Sequence, residues 1–294
     1  MNKNLILFST AVFLNSKNNH DHTLITKIIP DLISPNFELF LSSYFVERKN
    51  EFEIFAQNEF ETFAKNIIKT KEKGAFFPVM HMTQTIGNLI SRNENDDIKR
   101  AIKLFEFNCE YAVKFGSKLL VLHLWGSQYS DKNIDVNIRI FPRLKKIADR
   151  HKLILTIENI CCNTYRPLDH MKKLWDLYGN DVKFTIDVKH AEFHKSLVET
   201  CESEFLWNNN LVLHSHISDY HGEYMEWEKL IRNNTPITFG DVDFDYFFSF
   251  LKSIKYSGSI TVENNRISNR DDLAYNFNKT YEFIKNGLDT SRVT

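Results

Sequence analysis

The chain has 294 residues, is 43% hydrophobic and 26% charged, and carries a formal net charge of −1 with a pI near 6.8. That balance suits a soluble globular protein able to bury a large core, and it excludes a global basic field that would draw the chain onto nucleic acid or an anionic membrane. No apolar run approaches the ~20 residues of a membrane span.

Twenty-five Phe against nine Gly predict a bulky core with few glycine turns. The four cysteines, Cys109, Cys161, Cys162 and Cys201, form no Cys-x-x-Cys pair, which points to reduced thiols in the cytoplasm. Leu5 to Leu14 is apolar and follows Lys3, but no small-x-small cleavage site comes after it, so it reads as a first strand and not as a secretory signal.

Taken in order, Asp21 to Ile29 predicts a short helix closed by Pro30 and Pro35, and Asn36 to Leu41 a second strand. A long helix follows from Asn50 to Lys71, with Phe52, Phe55, Phe60, Phe63 and Ile67 near helical spacing and Gly74 as its stop. Phe76 to His81 is the third strand. Asn93-Glu94-Asn95-Asp96 opens a helix that ends at Gly116, and Leu119 to His123 is the fourth strand.

Asp135 to His151 is a helix leading into Leu153-Ile154-Leu155-Thr156-Ile157-Glu158-Asn159, an apolar run that stops at a carboxylate and an amide. Such a run reads as a strand covered on both faces, the habit of parallel sheets. Pro167 to Leu177 is helical, Val182 to Asp187 a strand, Glu192 to Trp207 a helix and Leu211 to His216 a strand. Asp243 to Ile254 and Asp271 to Lys285 are the last helices, on either side of the strand Ser259 to Glu263. Eight strand and helix units with no composition shift predict an α/β protein of one domain over residues 1–294, a closed (β/α)8 barrel of the usual size of about 250 residues.

Six of these strands stop at an acid or a histidine: His81, His123, Glu158, Asp187, His216 and Glu263. The C-terminal ends of barrel strands share one mouth, so these groups, with His190 three residues after Asp187, converge there. Mixed imidazole and carboxylate donors suit Zn²⁺, Mn²⁺, Co²⁺ or Fe²⁺ better than Mg²⁺ or Ca²⁺. Seven donors exceed what one ion needs, so Glu158 is placed to bridge a second.

His123-Leu124-Trp125-Gly126-Ser127, Ile157-Glu158-Asn159, Asp187-Val188-Lys189-His190, His216-Ile217-Ser218-Asp219, Phe239-Gly240-Asp241-Val242-Asp243-Phe244 and Tyr256-Ser257-Gly258-Ser259-Ile260-Thr261-Val262-Glu263 together resemble the xylose-isomerase-like TIM-barrel superfamily. The resemblance covers essentially the whole chain and implies two branches. Similarity to the epimerase branch implies one divalent ion held by Glu158, Asp187, His216 and Glu263. In that branch Glu158 and Glu263 exchange protons with a ketose from opposite sides, His190 and His221 contact sugar hydroxyls, and Trp125 forms an apolar wall.

Similarity to the endonuclease IV branch implies a metal cluster on His81, His123, Glu158, Asp187, His190, His216 and Glu263 that hydrolyses a phosphodiester, with nucleic acid as partner. The chain departs from that branch at Ile231-Arg232-Asn233-Asn234-Thr235-Pro236, where an Asp-x-His is expected, so a third zinc would lack two ligands. Asp219, Asn159, Asn264 and Arg266 are further candidates for substrate contact or ligand support. The expected function is therefore a metal-dependent isomerase or epimerase of a small sugar or polyol. The alternatives are a hydrolase of the second kind and a metal-binding accessory barrel. Assembly as a homo-oligomer is compatible with either.

Overall fold

The computed structural model describes residues 4–13, 22–41, 52–126, 133–232, 236–263 and 272–289. Eight parallel strands close a barrel in sequence order: β1 Ile6–Ser9, β2 Asn36–Phe40, β3 Phe76–His81, β4 Leu119–Leu122, β5 Ile154–Glu158, β6 Phe184–Asp187, β7 Val212–Ile217 and β8 Ser259–Val262. Consecutive strands pair throughout, and β8 closes onto β1 through Ile6 opposite Ile260 and Phe8 opposite Val262.

Twelve helices are described: α1 His22–Ile28, α2 Phe52–Glu72, α3 Thr85–Ser91, α4 Asn95–Phe115, α5 Ile134–Arg150, α6 Pro167–Tyr178, α7 Val188–Phe193, α8 Leu197–Glu202, α9 Glu204–Trp207, α10 Trp227–Arg232, α11 Phe244–Ser253 and α12 Leu273–Leu288. Two short ones, α3 and α10, have too few residues for a helical period to be read from sequence. The segment expected as one helix from Glu192 to Trp207 is instead broken three ways. Lys195 adopts a left-handed φ of +47°, and extended Ser203 separates α8 from α9.

Each strand divides its residues between two cores. Phe8, Phe37, Leu39, Met80, Leu120, Leu155, Ile157, Phe184, Ile186, Ile260 and Val262 join the large core between barrel and helices. The phenylalanines fill much of that layer, as in the stacking of Phe8 on Phe277 of α12 at 4.2 Å. Alternate positions point into the barrel, where Leu7, Val79, Leu119 and Val121 make a separate apolar cluster. Other inward positions are polar, namely Glu38, Thr156, Thr185, His214 and Thr261, all buried, and they sit beside the apolar ones, Glu38 opposite Val79 and Thr261 opposite Leu7 in the strand pairing. They satisfy one another, with Thr156 and Thr185 hydroxyls 2.7 Å apart.

The loop after β4 is fixed by an unusually close approach. A side chain at Gly87 of α3 would place its Cβ 2.3 Å from the His123 carbonyl oxygen. Asn137 of α5 ties the same corner, its side-chain amide donating to the carbonyls of Leu124 at 2.6 Å and Gly87 at 3.1 Å. Gly87→Ala should therefore push α3 off that loop and destabilise the protein by about 1–3 kcal/mol, read from the urea midpoint at unchanged slope.

Candidate metal centre

Glu158 ends β5 at the C-terminal mouth and is 1% exposed. Its Oε2 receives His123 Nε2 at 2.7 Å and His81 Nε2 at 3.2 Å, while Oε1 faces His216 Nδ1 at 3.0 Å. His190 Nδ1 lies 3.8 Å from the same Oε1. Glu263, the residue after β8, completes the ring with Oε1 3.6 Å from His216 Nδ1. Donor atoms of Glu158, Asp187, His216 and Glu263 all fall within 4.8 Å of one another, as do those of His81, His123 and Glu158. The structure thus brings all seven sequence-predicted ligands to one place.

Asp187 has a double role. As the N-cap of α7, its Oδ1 accepts the backbone N–H of Lys189 at 2.7 Å and of His190 at 3.1 Å. That leaves Oδ2 facing His190 Nδ1 at 3.9 Å. Asn159 clamps the main chain of Asp187 from both sides: its Oδ1 accepts the Asp187 N–H at 2.6 Å and its Nδ2 donates to the Asp187 carbonyl at 3.0 Å. Its amide is therefore committed to holding two strand ends in register.

Burial raises every carboxylate here, and the outcome depends on the neighbours. Burial works on Glu158 too, but His123 and His216 outweigh it and hold the acid well below the ordinary carboxylate range. Asp187, beside Glu158 and less well paired, is pushed up to about 6 by burial and that neighbouring negative charge. Burial also lifts Glu263 to about 7, against the pull of His216. His190 falls to about 4, mainly by burial. Burial lowers His81 and His216 as well, but bonding to Glu158 carries His81 up to about 9, and Glu263, Glu38 and Glu158 carry His216 well above the usual value.

The ring nitrogens test whether a cation fits. His81 Nδ1 bonds the carbonyl of Met82 at 3.0 Å, an acceptor that obliges Nδ1 to carry the hydrogen. Its Nε2 then confronts a carboxylate, which requires a second proton or a metal ion between them. His216 is in the same position, with carboxylates at both nitrogens. His190 Nδ1 is buried with no hydrogen-bond partner among the described residues. Imidazoles whose lone pairs converge on anionic oxygens make a donor set of the kind that holds Zn²⁺, Mn²⁺, Co²⁺ or Fe²⁺, so the residues fit a divalent ion.

Other expected contacts lie elsewhere. Trp125 is fully buried, its indole N–H donates to Ile160 O at 3.1 Å, and its ring stands 5.2 Å from that of His170. Asp219 is also buried and accepts the backbone N–H groups of Tyr220, Gly240 and Val242. A Cβ at Gly240 would come 2.3 Å from the Asp219 carboxylate, which accounts for the glycine of that motif. His221 is 63% exposed and pairs with Asp241 at 3.2 Å. Arg266, Asn264 and Ser127 lie outside the described residues, as do Asn233, Asn234 and Thr235.

Sequence reasoning overlooked Glu38 and His214. Glu38 is fully buried and takes hydrogen bonds from His214 Nε2 at 2.7 Å and Thr261 Oγ1 at 2.7 Å. The available signal was a single acid inside Phe37-Glu38-Leu39, a strand with no solvent face. His214 and His216 alternate on one strand and therefore share its inward face.

Residues 45–286 match the model of the family described as xylose isomerase-like TIM barrel, so the chain belongs to that family. No curated protein sequence matches it. Among solved structures it is similar to the IolI protein with a bound zinc atom, at 13% identity and a TM-score of 0.70 over 97% of this chain and 99% of that one. A D-tagatose 3-epimerase-like protein follows at 18% identity and 0.65, covering 96% and 98%. The probable 3-DHS dehydratase AsbF from Bacillus anthracis stands at 14% identity and 0.68, covering 95% and 99%. At such identities the likeness establishes the shared barrel.

Holding a cation requires Glu263 and Asp187 in their ionised forms, and their raised values, about 7 and about 6, mean that both carry protons at mildly acidic pH. Affinity for Mn²⁺ or Zn²⁺ should therefore climb between about pH 6 and 8, with protons released on binding. Calorimetry in buffers of differing ionisation enthalpy reads both effects, and a flat affinity across that interval would contradict the assignment.

Proposed function

We propose that the chain is a divalent-metal-dependent isomerase or epimerase acting on a small polyhydroxylated carbonyl compound, as one domain spanning residues 1–294. The supporting observation is the pair of carboxylates that meet at one edge of His216, with Glu158 and Glu263 at 3.0 and 3.6 Å from the same Nδ1. Glu158, Asp187, His216 and Glu263 would hold the ion. When bound, the ion would polarise a substrate carbonyl and favour the enediolate.

The two glutamates differ in a way that suits proton transfer. Glu263 is partly exposed at the mouth and, raised to about 7 by burial, can both take and return a proton near neutral pH. Glu158, ionised and fixed by His81, His123 and His216, acts as the proton-accepting partner on the opposite side. His190 offers a buried nitrogen to a hydroxyl. Zinc in the IolI structure and the epimerase and dehydratase descriptions of other neighbours agree with this reading. Buried cysteines that form no disulfide among the described residues fit a cytoplasmic location.

A second reading, hydrolysis of a phosphodiester by two ions, is favoured by the His81, His123 and Glu158 cluster, which offers a separate set of donors sharing one carboxylate. A panel of ketoses and inososes in deuterated solvent distinguishes the two. Deuterium should enter at the carbon next to the carbonyl in the metal-loaded protein, and Glu263→Gln should slow that entry about 100-fold or more while the protein still folds. Absence of exchange across the panel, together with cleavage of an oligonucleotide carrying an abasic site, would establish the second reading in its place.

A further inference from the structure

Glu38 lies below the mouth on β2, immediately after a register irregularity between Asn36 and Glu38. A second irregularity, where Phe184 and Thr185 pair with Val212 and His214, precedes the histidine it meets. Such irregularities re-aim side chains, and here they turn Glu38, His214 and His216 toward one another inside the barrel. Glu38 Oε2 takes His214 Nε2 at 2.7 Å, Thr261 Oγ1 at 2.7 Å and His216 Nε2 at 3.1 Å. Beyond His214, its Nδ1 meets Ser259 Oγ at 2.6 Å.

An ionised carboxylate only accepts hydrogen bonds, so both imidazoles carry hydrogen on Nε2. For His216 this leaves Nδ1, on the opposite edge of the ring, turned toward Glu158 and Glu263. Glu38 also has an oxygen within 4.8 Å of donor atoms of His81, His216 and Glu263, a spacing open to a direct ligand. Its contacts argue otherwise. Oε2 already serves three donors, and although buried Oε1 has no hydrogen-bond partner among the described residues, it lies 3.1 Å from the same His216 Nε2, so an ion on Nδ1 is separated from Glu38 by the imidazole itself.

We propose that Glu38 is a positioning residue: by accepting the Nε2 hydrogen of His216 it sets the tautomer and orientation in which Nδ1 offers its lone pair to a divalent ion. The proposal rests on the reading that Glu158, Asp187, His216 and Glu263 hold such an ion. His214 and Thr261 in turn keep the Glu38 carboxylate aligned, and Ser259 orients His214. A charge-assisted bond of this kind makes an imidazole a stronger ligand and limits its rotation.

The test titrates the wild-type chain and Glu38→Gln with Zn²⁺ by calorimetry, after circular dichroism confirms that both fold, and follows the imidazole N–H signals of the zinc-loaded proteins by ¹⁵N-edited NMR. Glu38→Gln should bind the same number of ions per chain roughly 10- to 100-fold more weakly. The wild type should show a downfield Nε2 proton on His216 that moves upfield in the variant, a change that a purely structural role would not produce. Unchanged affinity in a folded Glu38→Gln overturns the proposal, and so does the loss of one ion per chain, which would make Glu38 a ligand. Wild-type protein that binds no Zn²⁺ would overturn the metal reading and this proposal together. Should Glu38→Gln fail to fold, Thr261→Val, which removes only one donor to Glu38, should weaken Zn²⁺ binding and shift the same resonance, and no change in either overturns the proposal.

Discussion

Carboxylates taken out of water must be matched by positive charge or by hydrogen-bond donors, and the site depends on that requirement. Glu38, Glu158 and Asp187 are at most 1% exposed, in a space that the barrel wall closes on all sides but one. Unpaired, each would cost several kcal/mol. Five histidines supply the answer, and the order in which they approach decides which acids stay ionised. Glu158, with His81, His123 and His216 on its two oxygens, is held down. Glu263 and Asp187, with fewer partners, rise.

The barrel tolerates this concentration of charge because its interior is divided. Leu7, Val79, Leu119 and Val121 form a dry cluster on β1, β3 and β4. Glu38, Thr156, Thr185, His214 and Thr261, interleaved with them through pairs such as Glu38 opposite Val79 and Thr261 opposite Leu7, form the hydrogen-bonded part of the lining. An apolar lining throughout would have left His216 with no acceptor for its inner nitrogen. A polar lining throughout would have forfeited the inner packing that closes the strands.

Much of this was legible in the sequence. The strands were recognisable because both faces of each are covered, and the cluster of candidate ligands because an acid or histidine ended an apolar run at six strand ends. Long helices with acids in the first turn and glycine after the last, such as α4 with Asp96, Asp97 and Gly116, were equally plain. Glu38 was not, because it sits in mid-strand and its meaning comes only from His214, 176 residues away. Asp219 and Asn159 were ambiguous for a related reason. A polar side chain beside a candidate ligand looks free in one dimension, whereas here both also hold backbone N–H or C=O groups. The breaks between α7, α8 and α9 escaped because apolar spacing continues across them while the backbone reverses at Lys195.

Asp187 joins two tasks in one side chain. One oxygen holds the first turn of α7 and the other faces the cluster of candidate ligands, while His190 rides on that same turn. The helix and the candidate ligand set therefore form a single mechanical part: a cation held by Asp187 would also tug the helix, and a shift of the helix would re-aim His190. The cluster at this mouth is coupled to the packing of the outer layer through one carboxylate, and it cannot be rearranged there without rearranging the wall behind it.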